Sequence, residues 1–156
     1  MKKILLAVIA MSLLAPAFAL SKKKKKNVKS PITSVTLHRT ACYGKCPEYT
    51  ITLHKDGTVT YTGIRNVPDS GTYKKNIGSA KTMAIINELI GYKVDTCSKM
   101  YNNRIPDLPG IMYTINYKDS VKKIYSAEWG PTYLKEVAAE IDGVGKKTDN
   151  SWKKAK

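Results

Sequence analysis

Tyr49-Thr50-Ile51-Thr52-Leu53-His54-Lys55-Asp56-Gly57-Thr58-Val59-Thr60-Tyr61-Thr62 is the stretch whose reading decides the fold. Tyr49, Ile51 and Leu53 alternate with Thr50, Thr52 and His54, the period-two pattern of a strand with one buried face and one wet face. Asp56-Gly57 then reads as a hairpin turn of type I′, in which both central residues take positive φ. Thr58 to Thr62 forms the return strand, with Val59 and Tyr61 directed at the core. An antiparallel hairpin is the seed of the domain.

The same alternation precedes it. From Ile32 to Arg39, Val35 and Leu37 share one face and Thr36 and His38 the other. The connection between these strands is Arg39-Thr40-Ala41-Cys42-Tyr43-Gly44-Lys45-Cys46-Pro47-Glu48, the densest cluster of chemically special residues in the chain. Beyond the hairpin, Gly71 to Ile77 reads as a fourth, weaker strand.

The period changes over residues 80–90, where Met83, Ile86 and Ile90, with Leu89 beside them, form an apolar helical stripe. Ser79 is its expected N-cap and Gly91 its stop. Residues 92–110 are irregular and contain Pro106 and Pro109. A second hairpin follows, Ile111 to Lys118 and Val121 to Ala127, turning at Asp119-Ser120. Gly130-Pro131 opens a second helix, because proline suits the first helical position. Its face is Leu134, Val137, Ala138 and Ile141, and Gly143 ends it. The predicted fold is α+β: a mainly antiparallel sheet of about five to six strands packed against two helices as a two-layer sandwich.

The chain ends read differently. Lys2 and Lys3, the apolar run Ile4–Leu14 and the small-residue site Ala17-Phe18-Ala19 predict a secretory signal peptide over residues 1–19. The run is too short for a spanning helix of about 20 apolar residues, so no transmembrane segment is expected after cleavage. Residues 20–30 are expected to be a basic disordered arm, residues 31–145 a single domain, and residues 146–156 a basic C-terminal tail. The predicted localisation is periplasmic or secreted, where paired cysteines are oxidised.

The 156-residue chain carries a formal charge of +15. Six lysines lie within residues 22–29 and five within residues 146–156, whereas residues 30–145 hold fourteen basic against eleven acidic side chains. Lysine runs of this kind are solvated arms that bind anionic polymers without sequence selectivity. No aromatic or arginine motif interleaves them, which argues against sequence-specific nucleic-acid recognition.

The element order and the cysteine segment resemble an uncharacterised family of exported bacterial proteins of the Bacteroidetes type, a domain of unknown function. The resemblance rests on Arg39-Thr40-x-Cys42-x-Gly44-x-Cys46-Pro47-x-Tyr49, on Asp56-Gly57-x-Val59-x-Tyr61-x-Gly63, on Gly71 and on Asp107-x-Pro109. It continues in Pro131, Leu134, Ile141, Asp142 and Trp152. It implies an exported single-domain α+β protein and supplies no reaction, ligand or catalytic residue.

Three pairings of the cysteines compete. Proximity and the family pattern favour Cys42–Cys46, whose five-residue ring stabilises by roughly 2 kcal/mol on the loop-entropy model. A ring of about 50 residues to Cys97 would give roughly 4 kcal/mol on the same model. Free thiols are the third case. Redox catalysis of the thioredoxin kind uses C-x-x-C at a helix N-terminus, whereas here the spacing is C-x-x-x-C between strands. A metal would need further ligands from His38 and His54. If the first hairpin centres near Gly44, His38 pairs near Thr50 and His54 near Ser34, about 13 Å apart at ~3.3 Å per residue.

Arg39 and Asp107 are candidates for a buried ion pair or ligand clamp. Tyr43, at the loop tip, is the best candidate for an exposed contact, with Lys45 and Tyr49 beside it. The expected function is a non-enzymatic exported module, with no catalytic residue, metal or cofactor. It would bind a partner protein or an anionic envelope component through a disulfide-stapled hairpin loop. The alternative is a thiol-based redox or soft-metal-binding protein using Cys42 and Cys46.

Overall fold

A computed structural model of the chain describes residues 31–101, 108–147 and 149–155. The expected signal peptide, the basic arm over residues 20–30 and Asp107 lie outside the described residues. Among the described residues, seven strands form one antiparallel sheet: β1 (Ile32–Arg39), β2 (Glu48–His54), β3 (Thr58–Arg65), β4 (Gly71–Asn76), β5 (Ile111–Tyr117), β6 (Val121–Ile124) and β7 (Lys153–Lys154). Their spatial order is β6-β5-β1-β2-β3-β4-β7. Two helices, α1 (Ser79–Gly91) and α2 (Thr132–Gly145), complete an α+β fold.

The alternation over residues 49–62 governs the layers. Val35, Leu37, Ile51, Leu53, Val59, Tyr113 and Ile115 are buried and point to the helical side, where Ile85, Ile86, Leu89, Leu134, Val137 and Ile141 meet them. Cross-strand register keeps the set in phase, with Val35 opposite Leu53 and Ile115, and Leu37 opposite Ile51 and Tyr113. Burial of branched aliphatic side chains of this size contributes about 1.5–3 kcal/mol each before the entropy of ordering is subtracted. The predicted face of α2 is buried throughout.

Several local expectations are corrected. The β2–β3 turn is not type I′. Asp56 keeps negative φ and Gly57 alone adopts φ 96°. The loop spans Lys55–Gly57, is closed by Gly57 N donating to His54 O at 3.0 Å, and is braced by Asp56 Oδ1 accepting from Thr58 N at 2.8 Å. A glycine is required there for a second reason: a Cβ would run into the backbone of Gly78 at the entrance to α1.

Ser79 is not the N-cap. It is the first helical residue, preceded by Gly78 at φ 85° with no side-chain cap. The buried stripe of α1 is Thr82, Ile85, Ile86 and Leu89, rotated from the expected one, so Met83 and Ile90 are only partly covered. Helix α2 continues past Gly143 to Gly145, which rests so tightly on Ile51 that any side chain would collide with it. The second hairpin is shorter than expected, β6 stopping at Ile124 before a 3-10 turn over Ala127–Trp129.

The C-terminal basic stretch joins the sheet. Lys153 and Lys154 pair with Lys74 and Tyr73 as β7, which raises the strand count to seven. Trp152 is only 7% exposed and packs edge-on against Tyr61 at 6.2 Å, with the Lys75 ammonium 4.5 Å from its ring centroid.

Candidate functional site

The cysteine segment connects β1 to β2, and its base is built by register. Arg39 is the last residue of β1 and lies directly opposite Tyr49 in β2. Both side chains turn to the helical side and meet Asp142 of α2. The Arg39 guanidinium donates to Asp142 Oδ2 from Nε at 3.0 Å and from its terminal nitrogen at 2.6 Å. The Tyr49 hydroxyl donates to Oδ1 at 2.8 Å. Burial, reinforced by the bond to Asp142, pushes the Tyr49 hydroxyl well above the usual phenol range, so it remains a proton donor. All three groups are committed to one another, which makes the cluster a clasp between the hairpin and α2.

Thr40 fixes the next step of the chain. Its N–H donates to Gly110 O at 3.0 Å and its hydroxyl accepts from Gly110 N at 2.7 Å, tying the loop to the entry of β5. Glu128 Oε2 accepts from Ile111 N at 2.7 Å beside it. A concavity of about 180 Å³ lies here, lined by Thr40, Gly110, Met112, Ser126 and Glu128 among others.

Beyond Thr40, Cys42 and Cys46 form a disulfide with Cα atoms 5.6 Å apart, within the range such a bridge requires. The bridge closes a loop in which Tyr43, Gly44 and Lys45 stand in solvent, Tyr43 at 92% exposure. Gly44 N donates to Cys42 Sγ at 3.3 Å, and Asn66 Nδ2 donates to Cys46 O at 3.2 Å from the β3–β4 side. The pairing removes the long bridge to Cys97. That thiol is free and half-buried, and donates to Val94 O at 3.0 Å.

The hairpin register matches the one read from the sequence: His38 is opposite Thr50 and His54 opposite Ser34. His38 instead approaches Glu48 at 3.5 Å. Among the described residues no three His, Cys, Asp or Glu side chains converge as a metal site. The cysteines sit between strands, so no helix N-terminus is present to lower a thiol pKa.

Of the candidate contact residues, the structure brings Arg39 and Tyr49 together and places Tyr43 and Lys45 at the loop tip. Asp107, which the sequence offers beside Arg39, lies outside the described residues; within them Arg39 pairs with Asp142. One signal pointed to it: Asp142 follows Ala138 by four residues along the buried stripe of α2, and a carboxylate at such a position is buried only with a partner.

Among the described residues no helix is long and apolar enough to cross a membrane. No curated protein and no solved structure matches the chain. The model of a domain of unknown function, DUF6438, matches residues 33–145, from the second residue of β1 to the last of α2, and the chain belongs to that family.

Proposed function

We propose that the protein is an exported, non-enzymatic binding module whose contact element is the stapled loop Cys42–Cys46, presenting Tyr43 and Lys45 to a partner or to an anionic envelope component. The observation that carries this reading is the near-complete exposure of Tyr43 on a loop held at both ends. Tyr43 is the most exposed large hydrophobic among the described residues, and a tyrosine offers a contact both an apolar ring and a polar hydroxyl. A disulfide, the Thr40–Gly110 bonds and the Asn66–Cys46 bond limit the freedom the loop has left to lose on binding, which favours affinity.

The polar groups beneath the loop support a scaffolding role. Arg39, Tyr49 and Asp142 satisfy one another and leave no poised base or nucleophile. Export fits the oxidised cysteine pair.

The test compares wild type, Tyr43→Ala, Lys45→Ala and Cys42→Ser/Cys46→Ser in retention on isolated cell envelopes, alongside intact mass with and without alkylation. Reduced retention of all three variants, with native circular dichroism and a pair resistant to mild reductant, supports the reading. Unchanged retention of Tyr43→Ala overturns it. A readily reducible pair, or zinc or copper in the native mass, would replace it with the thiol-based alternative.

A further inference from the structure

The side of the sheet away from the helices carries a second pattern, independent of the stapled loop. Register aligns Thr114, Thr36, Thr52 and Thr60 in one row across β5, β1, β2 and β3. The row continues to lysine at both ends: Lys123 in β6 pairs with Thr114, and Lys74 in β4 pairs with Thr60 and in turn with Lys153 in β7. All three lysines are exposed, and among the described residues none is in an ion pair. A neighbouring row repeats the chemistry with Thr50, Thr62 and Thr72.

Two features orient these hydroxyls. Thr36 bonds Thr52 at 2.9 Å and Thr62 bonds Thr72 at 3.1 Å, which holds the side chains in fixed rotamers. A hydroxyl offers one donor and two acceptors, so each pair keeps capacity for a ligand or bridging water. The seven strands contain one carboxylate, Glu48, and it is taken by Arg65 at 3.4 Å and His38 at 3.5 Å. The remaining acids of the described chain lie in turns, loops and helices, so the face is hydroxyl-lined and cation-rimmed, and its one strand carboxylate is already paired.

We infer that this face is a docking surface for an extended anionic polysaccharide laid across the strands, its hydroxyls on the threonine row and its acidic groups on Lys123, Lys74 and Lys153. Seven strands give six steps, about 29 Å at ~4.8 Å each, a track long enough for an oligosaccharide. The choice of occupant follows from the side-chain types. Single-stranded nucleic acid wants aromatic platforms, whereas Tyr49, Tyr61 and Tyr113 belong to the core cluster on the helical side and Tyr73 packs against it. A protein partner wants an apolar centre, and the centre of this face is threonine.

The probe is polygalacturonate, with dextran as the neutral control, titrated into the full chain by calorimetry at low and at physiological salt. Four chains are compared with wild type: Lys74→Gln/Lys123→Gln/Lys153→Gln, Thr36→Val/Thr52→Val, Tyr43→Ala, and a chain lacking residues 20–30. Salt-sensitive binding of polygalacturonate but not dextran is expected, weakened about tenfold by the lysine variant and several-fold by the threonine variant at unchanged melting temperature. The chain lacking residues 20–30 and a Tyr43→Ala chain should keep the face-dependent component, which separates this surface from the stapled loop.

Three outcomes overturn the inference. The first is wild-type binding by the lysine variant together with loss of binding on removal of residues 20–30. The second is displacement of polygalacturonate by single-stranded DNA of equal charge. The third is dimerisation through this face that blocks the polymer.

Discussion

Arg39 and Asp142 are 103 residues apart in sequence, and their side chains meet at 2.6 Å. The contact bridges the end of β1 and the last turns of α2, and Tyr49 occupies the second carboxylate oxygen. The segment leading to the stapled loop begins immediately after Arg39, so this carboxylate ties the start of that segment to the helical layer.

Asp142→Ala is therefore expected to destabilise the fold by about 3 kcal/mol, because it strands a half-buried guanidinium and a buried hydroxyl together. Tyr49→Phe removes a single bond to a charged acceptor and should cost about 2 kcal/mol. Chemical denaturation of the two variants and of their combination checks this. The double variant should lose less than the sum of the singles, because both act through Asp142. Strict additivity would show that the clasp is not a unit.

Replacing Cys42 and Cys46 by serine should cost roughly 2 kcal/mol, the entropy of a five-residue ring, and leave the fold intact. The local effect should exceed the global one. Trypsin is expected to cut after Lys45 much faster in the serine variant, because the loop alone loses its constraint. Equal nicking rates in the two proteins would mean that Thr40 and Asn66 hold the loop without the bridge. Cys97→Ser should change neither quantity appreciably.

Trp152→Ala is expected to lower stability by about 3 kcal/mol, the cost typical of truncating a large buried aromatic. A chain ending at Gly145 should behave in the same way, since it lacks Trp152 and β7 together. Thermal melts of both variants give the measurement. A truncated chain that melts with wild type would show that the edge pairing contributes nothing.

Alkaline pH provides a fourth test. Burial pushes the hydroxyls of Tyr113, Tyr49 and Tyr133 well above the ordinary phenol range. The protonated forms are favoured in the folded state, so their contribution is intact below about pH 10 and is lost as the unfolded tyrosines ionise above it. Stability should be level up to that pH and fall beyond it. Tyr113→Phe should flatten the fall while lowering the plateau, since it also loses the 2.6 Å bond to Leu134 O. Phenolate absorbance should show some of the ten tyrosines ionising only on unfolding.

Much of the architecture was legible because its signals are local and repeated. Period-two alternation in β1 and β2, with one loop between them, is enough to place His38 against Thr50 and His54 against Ser34. The buried face of α2 follows from four apolar residues at helical spacing. What escaped was decided by contacts remote in sequence. Lys153 and Lys154 make too short a strand to show a period, and Trp152 lies among lysines, so the segment read as a tail. The N-terminus of α1 is set by the docking of Gly57 on Gly78 rather than by a capping side chain. The candidate site was half legible: the staple and its tip come from cysteine spacing, but the carboxylate that anchors Arg39 is chosen by packing.

The placement of β1 between β2 and β5 has a kinetic side. Its first neighbour follows within a few residues, and its second arrives only after α1 and the irregular segment have been made. Contacts of such wide sequence separation slow the search for the native state. The N-terminal hairpins alone leave one edge of β1 open and the apolar face uncovered by α2. The core can close only once α2 has been made, so most of the chain must be present before the native state forms.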